Sequence, residues 1–410
     1  MISFEKYVLD NGLRVILHQD TSSPMAVVNV AYDVGSRDEE EQRTGFAHLF
    51  EHLMFGGSAN IPDFDGPIQM AGGENNAFTN SDMTNFYNIL PAQNIETALW
   101  LESDRMMKLD FSPKSLATQQ KVVIEEFKET CLNQPYGDMW HHLSDMAYKE
   151  HSYRWPTIGL VPEHIEDAKL EDVEAFFYRY YRPNNAVLVV AGNIQFDEVK
   201  EKINQYFAEI PAGLDRVRKL PTESKQTELR SKTVEAHVPL PSLIMAFHMS
   251  DRLSDDYYAI DLLSDILANG RSSRFFVNIY KQSICSTIDA FISGTFDPGL
   301  FIVESRPMPG VSIDQAREVI WKELEDVKAN GVQLDELEKI RNKTESALVY
   351  SEVSVLHKAM NLAYYEILGD ANMINIQSEK YQNVTANDIK RVANDILRKE
   401  QCNEIIYLPK

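Results

Sequence analysis

The sequence predicts an α+β protein of two similar domains, each a mainly antiparallel sheet covered by helices. Three observations carry this. The chain has 410 residues, more than one hydrophobic core ordinarily serves. A pattern of strands and helices runs through the first half, breaks at a polar passage and restarts. The two halves also end alike: Asp172-Val173 and Asp388-Ile389 each open a helix, Arg182 and Arg398 each lie ten residues after that aspartate, and a strand follows both. The expected division is a first domain at 1–212, a linker at 213–225 and a second domain at 226–410.

The elements follow in order. Tyr7-Val8-Leu9, the turn Asp10-Asn11-Gly12 and Leu13–Leu17 read as a hairpin, because Asn-Gly supplies the positive φ of a tight turn. A strand is expected at Met25–Asp33, then a short helix through residues 45–55 stopped by Gly56-Gly57, then an edge strand near Asn76–Leu90. Helices follow at Asn94–Met107, Pro113–Cys131, Gly137–Tyr148 and Leu170–Tyr181, and Ala186–Gly192 is apolar throughout, as a buried strand is. Pro211 through Lys225 has the Pro, Gly and charge content of a linker. Beyond it, strands are expected at Leu243–Met249, Thr287–Ser293, Gly299–Arg306 and Glu404–Leu408. Helices are expected at Tyr257–Leu267, Ile313–Asn330, Leu334–Glu352 and Ala386–Arg398.

Composition narrows the function. The net charge of −22 argues against nucleic acid, whose phosphates such a surface repels. No apolar run reaches the length of a membrane span, and Met1–Tyr7 carries neither a signal-peptide core nor an Arg-rich transit pattern. Cys131, Cys285 and Cys402 are scattered and odd in number, so neither a disulfide framework nor a cysteine metal site is implied. A cytoplasmic location is expected.

The chemistry concentrates in His48-Leu49-Phe50-Glu51-His52. On a helix, positions i and i+4 share a face, so both imidazoles can reach one ion. Two neutral imidazoles begin a zinc site, and H-x-x-E-H is the inverted zinc-peptidase order. Glu51 projects to nearly the same side and can approach a water on that metal. The alternative is a pair of hydrogen-bonded core histidines. A catalytic zinc needs a third protein ligand, and the run Gln119–Glu129 reads as a helix with an apolar stripe through Val122, Val123 and Phe127. Glu126 flanks that stripe, while Glu125 and Glu129 face water. The neighbours His141 and His142 point apart on a helix and read as structural or surface residues.

With these segments, the chain resembles the pitrilysin family of zinc peptidases, in particular its single-subunit-sized bacterial and processing-peptidase-like members. Arg43 through Ser58 is similar to the family's active helix. Gly73–Thr79, running to Thr84-Asn85-Phe86-Tyr87, is similar to its substrate-binding edge strand. Val122–Glu126 resembles its third-ligand helix, and Tyr180–Gly192 the strand that closes its first domain. The resemblance implies Zn2+ held by His48, His52 and Glu126, with Glu51 as general base. It implies that an extended peptide is held along Asn76, Ala77 and Phe78.

Two departures stand out. Where the family commonly has a second glutamate before the ligand glutamate, this chain has Gln119, which keeps hydrogen bonding but not charge. Where the family's second half supplies an arginine and, seven residues on, a tyrosine for the substrate carbonyl, this chain has Tyr280 and Thr287. The resemblance therefore implies a hetero-oligomer in which a related subunit supplies the Arg/Tyr pair, with a homodimer as the alternative. A different alignment would give that role to Arg271, Arg274 or Arg306. The expected function is a zinc-dependent endopeptidase for short or unfolded peptides. The alternatives are a non-catalytic structural subunit and a zinc-dependent peptide-binding subunit.

Overall fold

A computed structural model describes residues 1–214 and 217–410. Asp215 and Arg216, inside the expected linker, lie outside the described residues. Strands β1 (Glu5–Val8), β2 (Arg14–Gln19) and β3 (Met25–Tyr32) open the chain, followed by helices α1 (Phe46–Leu53) and α2 (Asp65–Met70) and a hairpin of β4 (Glu74–Thr79) and β5 (Thr84–Pro91). Helices α3 (Ile95–Met107), α4 (Pro113–Phe127), α5 (Met139–Ala147), α6 (Glu163–Glu166) and α7 (Leu170–Tyr180) lead to β6 (Ala186–Gly192) and α8 (Phe196–Phe207). Then come β7 (Arg230–Ala236), β8 (Ser242–His248), α9 (Asp256–Ala268), β9 (Cys285–Ile292), β10 (Leu300–Pro307), α10 (Ile313–Asn330), α11 (Leu334–Ser351), α12 (Val355–Leu368), α13 (Gln377–Asn383), α14 (Ala386–Ile396) and β11 (Cys402–Pro409). Among the described residues no helix is long and apolar enough to cross a membrane.

The chain makes two compact units, each with one sheet. The first sheet has the order β1-β2-β6-β3-β5-β4 and the second β7-β11-β8-β10-β9. In each, one pair is parallel, β2 with β6 and β7 with β11, and the other pairs are antiparallel. The shared ending has a physical cause. Asp172 accepts the Lys169 N–H and Asp388 the Thr385 N–H, so each aspartate caps the helix that precedes the returning strand.

Each unit takes one helix from the other half of the sequence. Unit 1 comprises 1–128, 155–221 and 349–375, and unit 2 comprises 129–154, 222–348 and 376–410. The stretches 1–212 and 226–410 are thus each interrupted by a helix that packs elsewhere. In unit 1, α12 packs on β6, β3 and β2, and β6 is buried along its whole length. In unit 2, α5 packs on β11 and β8, where Leu143, Met146, Ile244, Ala246, Ile302 and Ile405 share an apolar cluster. Covering both faces explains why Ala186–Gly192 is a continuous apolar run, without the alternation of a half-solvated strand.

The tie between α12 and its sheet includes Asp20 and Lys358, whose side chains are 11% and 14% exposed. The hydrogen bond from Lys358, then that from Ser22, holds the Asp20 carboxyl far below its ordinary range. A carboxyl depressed in the folded state adds stability above its unfolded pKa, about 3.9, and loses it as pH falls toward the folded value. Asp20→Asn is therefore expected to cost about 1.5–3 kcal/mol at pH 7, the range for a hydrogen bond to a charged group. The gap should close as pH drops below about 4. Urea unfolding of both proteins at pH 7 and pH 3 checks this, and a gap of equal size at both would refute it.

Candidate metal and peptide site

Helix α1 buries Phe46, Ala47, Leu49, Phe50 and Leu53, so its other side carries His48, Glu51 and His52 at the edge of the core. Phe50 stacks on Phe176, Phe177 and Tyr181, which fixes the helix's rotation about its axis. Gly45 precedes α1 at φ 87°. A Cβ there would lie 3.0 Å from the Ile158 carbonyl oxygen, so the position favours glycine both sterically and conformationally. Glycine offers no side-chain cap, and Glu39 fills that role. Its carboxylate accepts the N–H of Gly45 at 2.9 Å and of Ala47 at 2.8 Å. Burial pushes the Glu39 pKa well up, and the helix N–H groups pull it back. This cap was not read from the sequence: Glu39 lies six residues before Gly45, outside the spacing of a capping box.

Helix α4 packs on α1. It starts on Ser112, whose hydroxyl accepts the Ser115 N–H, with Pro113 in its first turn, a strong start signal. Its buried stripe is Leu116, Val123 and Phe127. Val122, expected in that stripe, is 45% exposed. Glu126 lies beside the stripe and reaches α1. Its Oε1 is 3.7 Å from His48 Nε2 and its Oε2 3.3 Å from His52 Nε2, and the two imidazole Nε2 atoms are 3.3 Å apart. Among the described residues, these three are the only His, Cys, Asp or Glu group whose ligand atoms all lie within 4.8 Å of one another.

This donor set fits zinc. Ligand atoms about 2.0–2.1 Å from one ion at the tetrahedral angle lie about 3.3–3.4 Å apart, the spacing seen for two of the three pairs. Burial lowers the His48 pKa to about 4, despite the opposing carboxylate of Glu126, so its imidazole is neutral at pH 7 and offers a lone pair. In the tautomer with both Nε2 lone pairs free, three acceptors face one point, which is the arrangement a cation joins.

Glu51 is not a member of that triplet. Burial raises its pKa, while the Thr79 hydroxyl and backbone oppose the shift. Thr79 ends β4, and β4 is an edge of its sheet, so Glu51 lies near the end of an unpaired strand edge. Along β4, Asn76 is exposed and Ala77 and Phe78 are half-buried. Asn76 Oδ1 accepts the Ala77 N–H at 2.8 Å. Gln119 lies near Gly56, just past α1, its Nε2 3.7 Å from where a Cβ would stand.

In unit 2, Tyr280 is 47% exposed and stacks on Phe276. Thr287 is exposed on β9. Of the alternative cations, Arg274 is held by Asp326 and Glu336, and Arg306 by Glu304 and the Tyr136 ring. His142 bonds Asp138 and Lys232 rather than His141.

Two family models match the chain: "Insulinase (Peptidase family M16)" over residues 14–159 and "Peptidase M16 inactive domain" over residues 167–344. The chain belongs to peptidase family M16. Among M16 relatives, it is 26% identical over 414 residues to the zinc protease PqqE of Helicobacter pylori, covering 99% of this chain and 93% of the relative. It is 24% identical over 308 residues to a probable mitochondrial-processing peptidase subunit beta of Arabidopsis thaliana, covering 72% of this chain and 57% of the relative. The crystal structure of a protease from Helicobacter pylori superimposes with a TM-score of 0.93 at 26% identity over the whole of both chains. Pitrilysin shares the fold with a TM-score of 0.80 at 17% identity, over 100% of this chain and 45% of that one.

Proposed function

We propose that this protein is a zinc endopeptidase for short or unfolded peptides bound in extended form, and that it is the metal-bearing half of a two-subunit enzyme. The observation that carries the reading is the convergence of His48, His52 and Glu126 beside Glu51 and the free edge of β4.

His48, His52 and Glu126 would hold the metal. When bound, zinc supplies Lewis-acid polarisation and lowers the pKa of a water to about 7. The peptide adds to β4 as a further strand, held through its backbone, which accepts many sequences but only extended chains. The Asn76 side chain releases the Ala77 N–H as a peptide carbonyl takes its place. Glu51 removes a proton from the attacking water and returns it to the leaving nitrogen. Its burial strengthens it as a base.

Tyr280 and Thr287 favour the two-subunit form. Neither supplies a cation, and removing a transition-state donor costs about 10²–10³ in rate. The same observation favours a second reading, a zinc-dependent peptide-binding subunit with no turnover of its own. Metal analysis of the pure chain, with hydrolysis of a quenched fluorescent peptide library, separates them. About one zinc per chain is expected. Hydrolysis should be weak alone and rise about 10²–10³-fold when a related subunit carrying the Arg/Tyr pair is added. Full activity from the chain alone would remove the two-subunit reading. A metal-free chain would remove the peptidase reading altogether.

A further inference from the structure

The loop from Gly35 to Glu39 touches both parts of the site. At one end, the buried Glu39 carboxylate receives the Gly45 and Ala47 N–H groups at the start of α1. At the other, the loop lies against residues 80–82, the turn that joins β4 to β5. The Ser36 N–H donates to the Asn80 carbonyl at 3.2 Å and the Arg37 N–H to the Ser81 carbonyl at 2.9 Å. The Arg37 and Asp82 side chains, each 4% exposed, pair at 3.0 Å. A Cβ on Gly35 would stand 2.4 Å from the Ser81 carbonyl carbon and 2.5 Å from the Asn80 oxygen, so this approach needs glycine. The loop is itself pinned from outside. Trp155 Nε1 donates to the Ser36 carbonyl, Tyr180 Oη to the Asp38 carbonyl, and Arg218 pairs with the Asp38 carboxylate.

A cap that served only helix stability needs no second arm. Here the cap is one end of a rigid piece whose other end holds the turn one residue beyond Thr79, the residue that faces Glu51. We infer that Glu39 and the Arg37–Asp82 pair are positioning residues: the loop sets the offset between α1, with its base and metal-ligating side chains, and the β4 backbone along which the peptide lies. Misplacement by about 1 Å can cost 10²-fold in rate, and outer-shell partners typically govern metal affinity by 10–100-fold. The two arms act on different quantities. Glu39 aims α1, so it controls metal affinity and kcat. Arg37–Asp82 fixes the hairpin, so it controls peptide binding. The kinetic part rests on the peptidase reading, and the metal part stands without it.

The test uses the full chain, zinc-loaded, with the partner subunit where turnover requires it. Glu39→Gln replaces one acceptor with a donor facing the helix N–H groups. Glu39→Asp keeps the charge on a shorter arm. Asp82→Asn loosens the other end. Zinc affinity, by competition with a chelator, is expected to fall about 10–100-fold in Glu39→Gln and less in Glu39→Asp, and kcat should follow it with KM within about twofold. In Asp82→Asn, KM should rise at least fivefold while zinc affinity stays within about twofold. If Glu39→Gln is insoluble, Glu39→Asp carries the same comparison. Loss of thermal stability with zinc affinity and per-molecule kinetics unchanged overturns the inference, and so does an equal effect of both arms on KM and kcat. A wild-type chain with no turnover even when the related subunit is present would sink the peptidase reading, and the zinc affinities would still judge the loop.

Discussion

Glu51→Gln is expected to lower kcat by about 10²–10⁴-fold, the usual contribution of a general base, with zinc content and thermal stability close to wild type. The variant is informative because it changes so little else. Glutamine has nearly the same shape and size. The residue lies outside the triplet of converging ligand atoms, so metal should be retained. Relief of a buried carboxyl whose pKa burial has raised should leave stability equal or slightly higher. His48→Ala behaves oppositely, losing metal and activity together. The pH profile separates the roles further. A base must be deprotonated to act, so wild-type activity falls as pH drops through the Glu51 pKa. Burial raises the Glu51 pKa and a bound dication lowers it, so the position of the limb reports the balance of the two. Residual activity in Glu51→Gln should lack the limb. Full activity with an unchanged acid limb would take Glu51 out of the mechanism.

What was legible in the sequence follows the range of each interaction. The face of α1 depends on neighbours four residues apart and a Gly-Gly stop, so its histidines and its end could be read locally. Glu126 could not. It stands among Glu125, Glu126 and Glu129 on a helix with a weak apolar stripe, and only the packing of α4 on α1 distinguishes it. Resemblance had to single it out. The edge position of β4 is likewise a property of strand order. Glu39 looks like one more acid in a polar loop until the helix that it caps is in place. The helix Val355–Leu368 was missed. It covers a sheet built from the other half of the chain, so its apolar residues answer to a surface more than 150 positions away in sequence. The echo between Asp172 and Asp388 was legible because a helix cap is local, and it pointed to two sheets that share one parallel pair followed by three antiparallel ones.

A buried ion pair on α3 gives the largest expected effect on stability. Glu102 and Arg105, on α3, are 0% and 1% exposed. Arg105 Nε donates to Glu102 Oε2 at 2.8 Å, and Asn88 Nδ2 donates to Oε1. The guanidinium lies over Phe64 at 4.2 Å, Phe86 at 4.4 Å and Phe55 at 5.4 Å, and Phe55 is the second residue after α1 ends. Taking both charges out of water costs nearly what their attraction returns, so the pair as a whole adds little net stability. Breaking it is another matter. Glu102→Leu leaves a guanidinium among three rings with no counter-charge, and about 3–5 kcal/mol should be lost. Arg105→Met leaves a carboxylate whose remaining partner is Asn88, with a similar loss. The double variant Glu102→Leu/Arg105→Met removes both charges and keeps apolar volume, and it should lie within about 1–2 kcal/mol of wild type. Urea midpoints for the transition that unfolds unit 1 measure all three. A double variant whose loss equals the sum of the single losses would show that the two side chains act independently, and that their burial side by side is not what makes either one costly to remove.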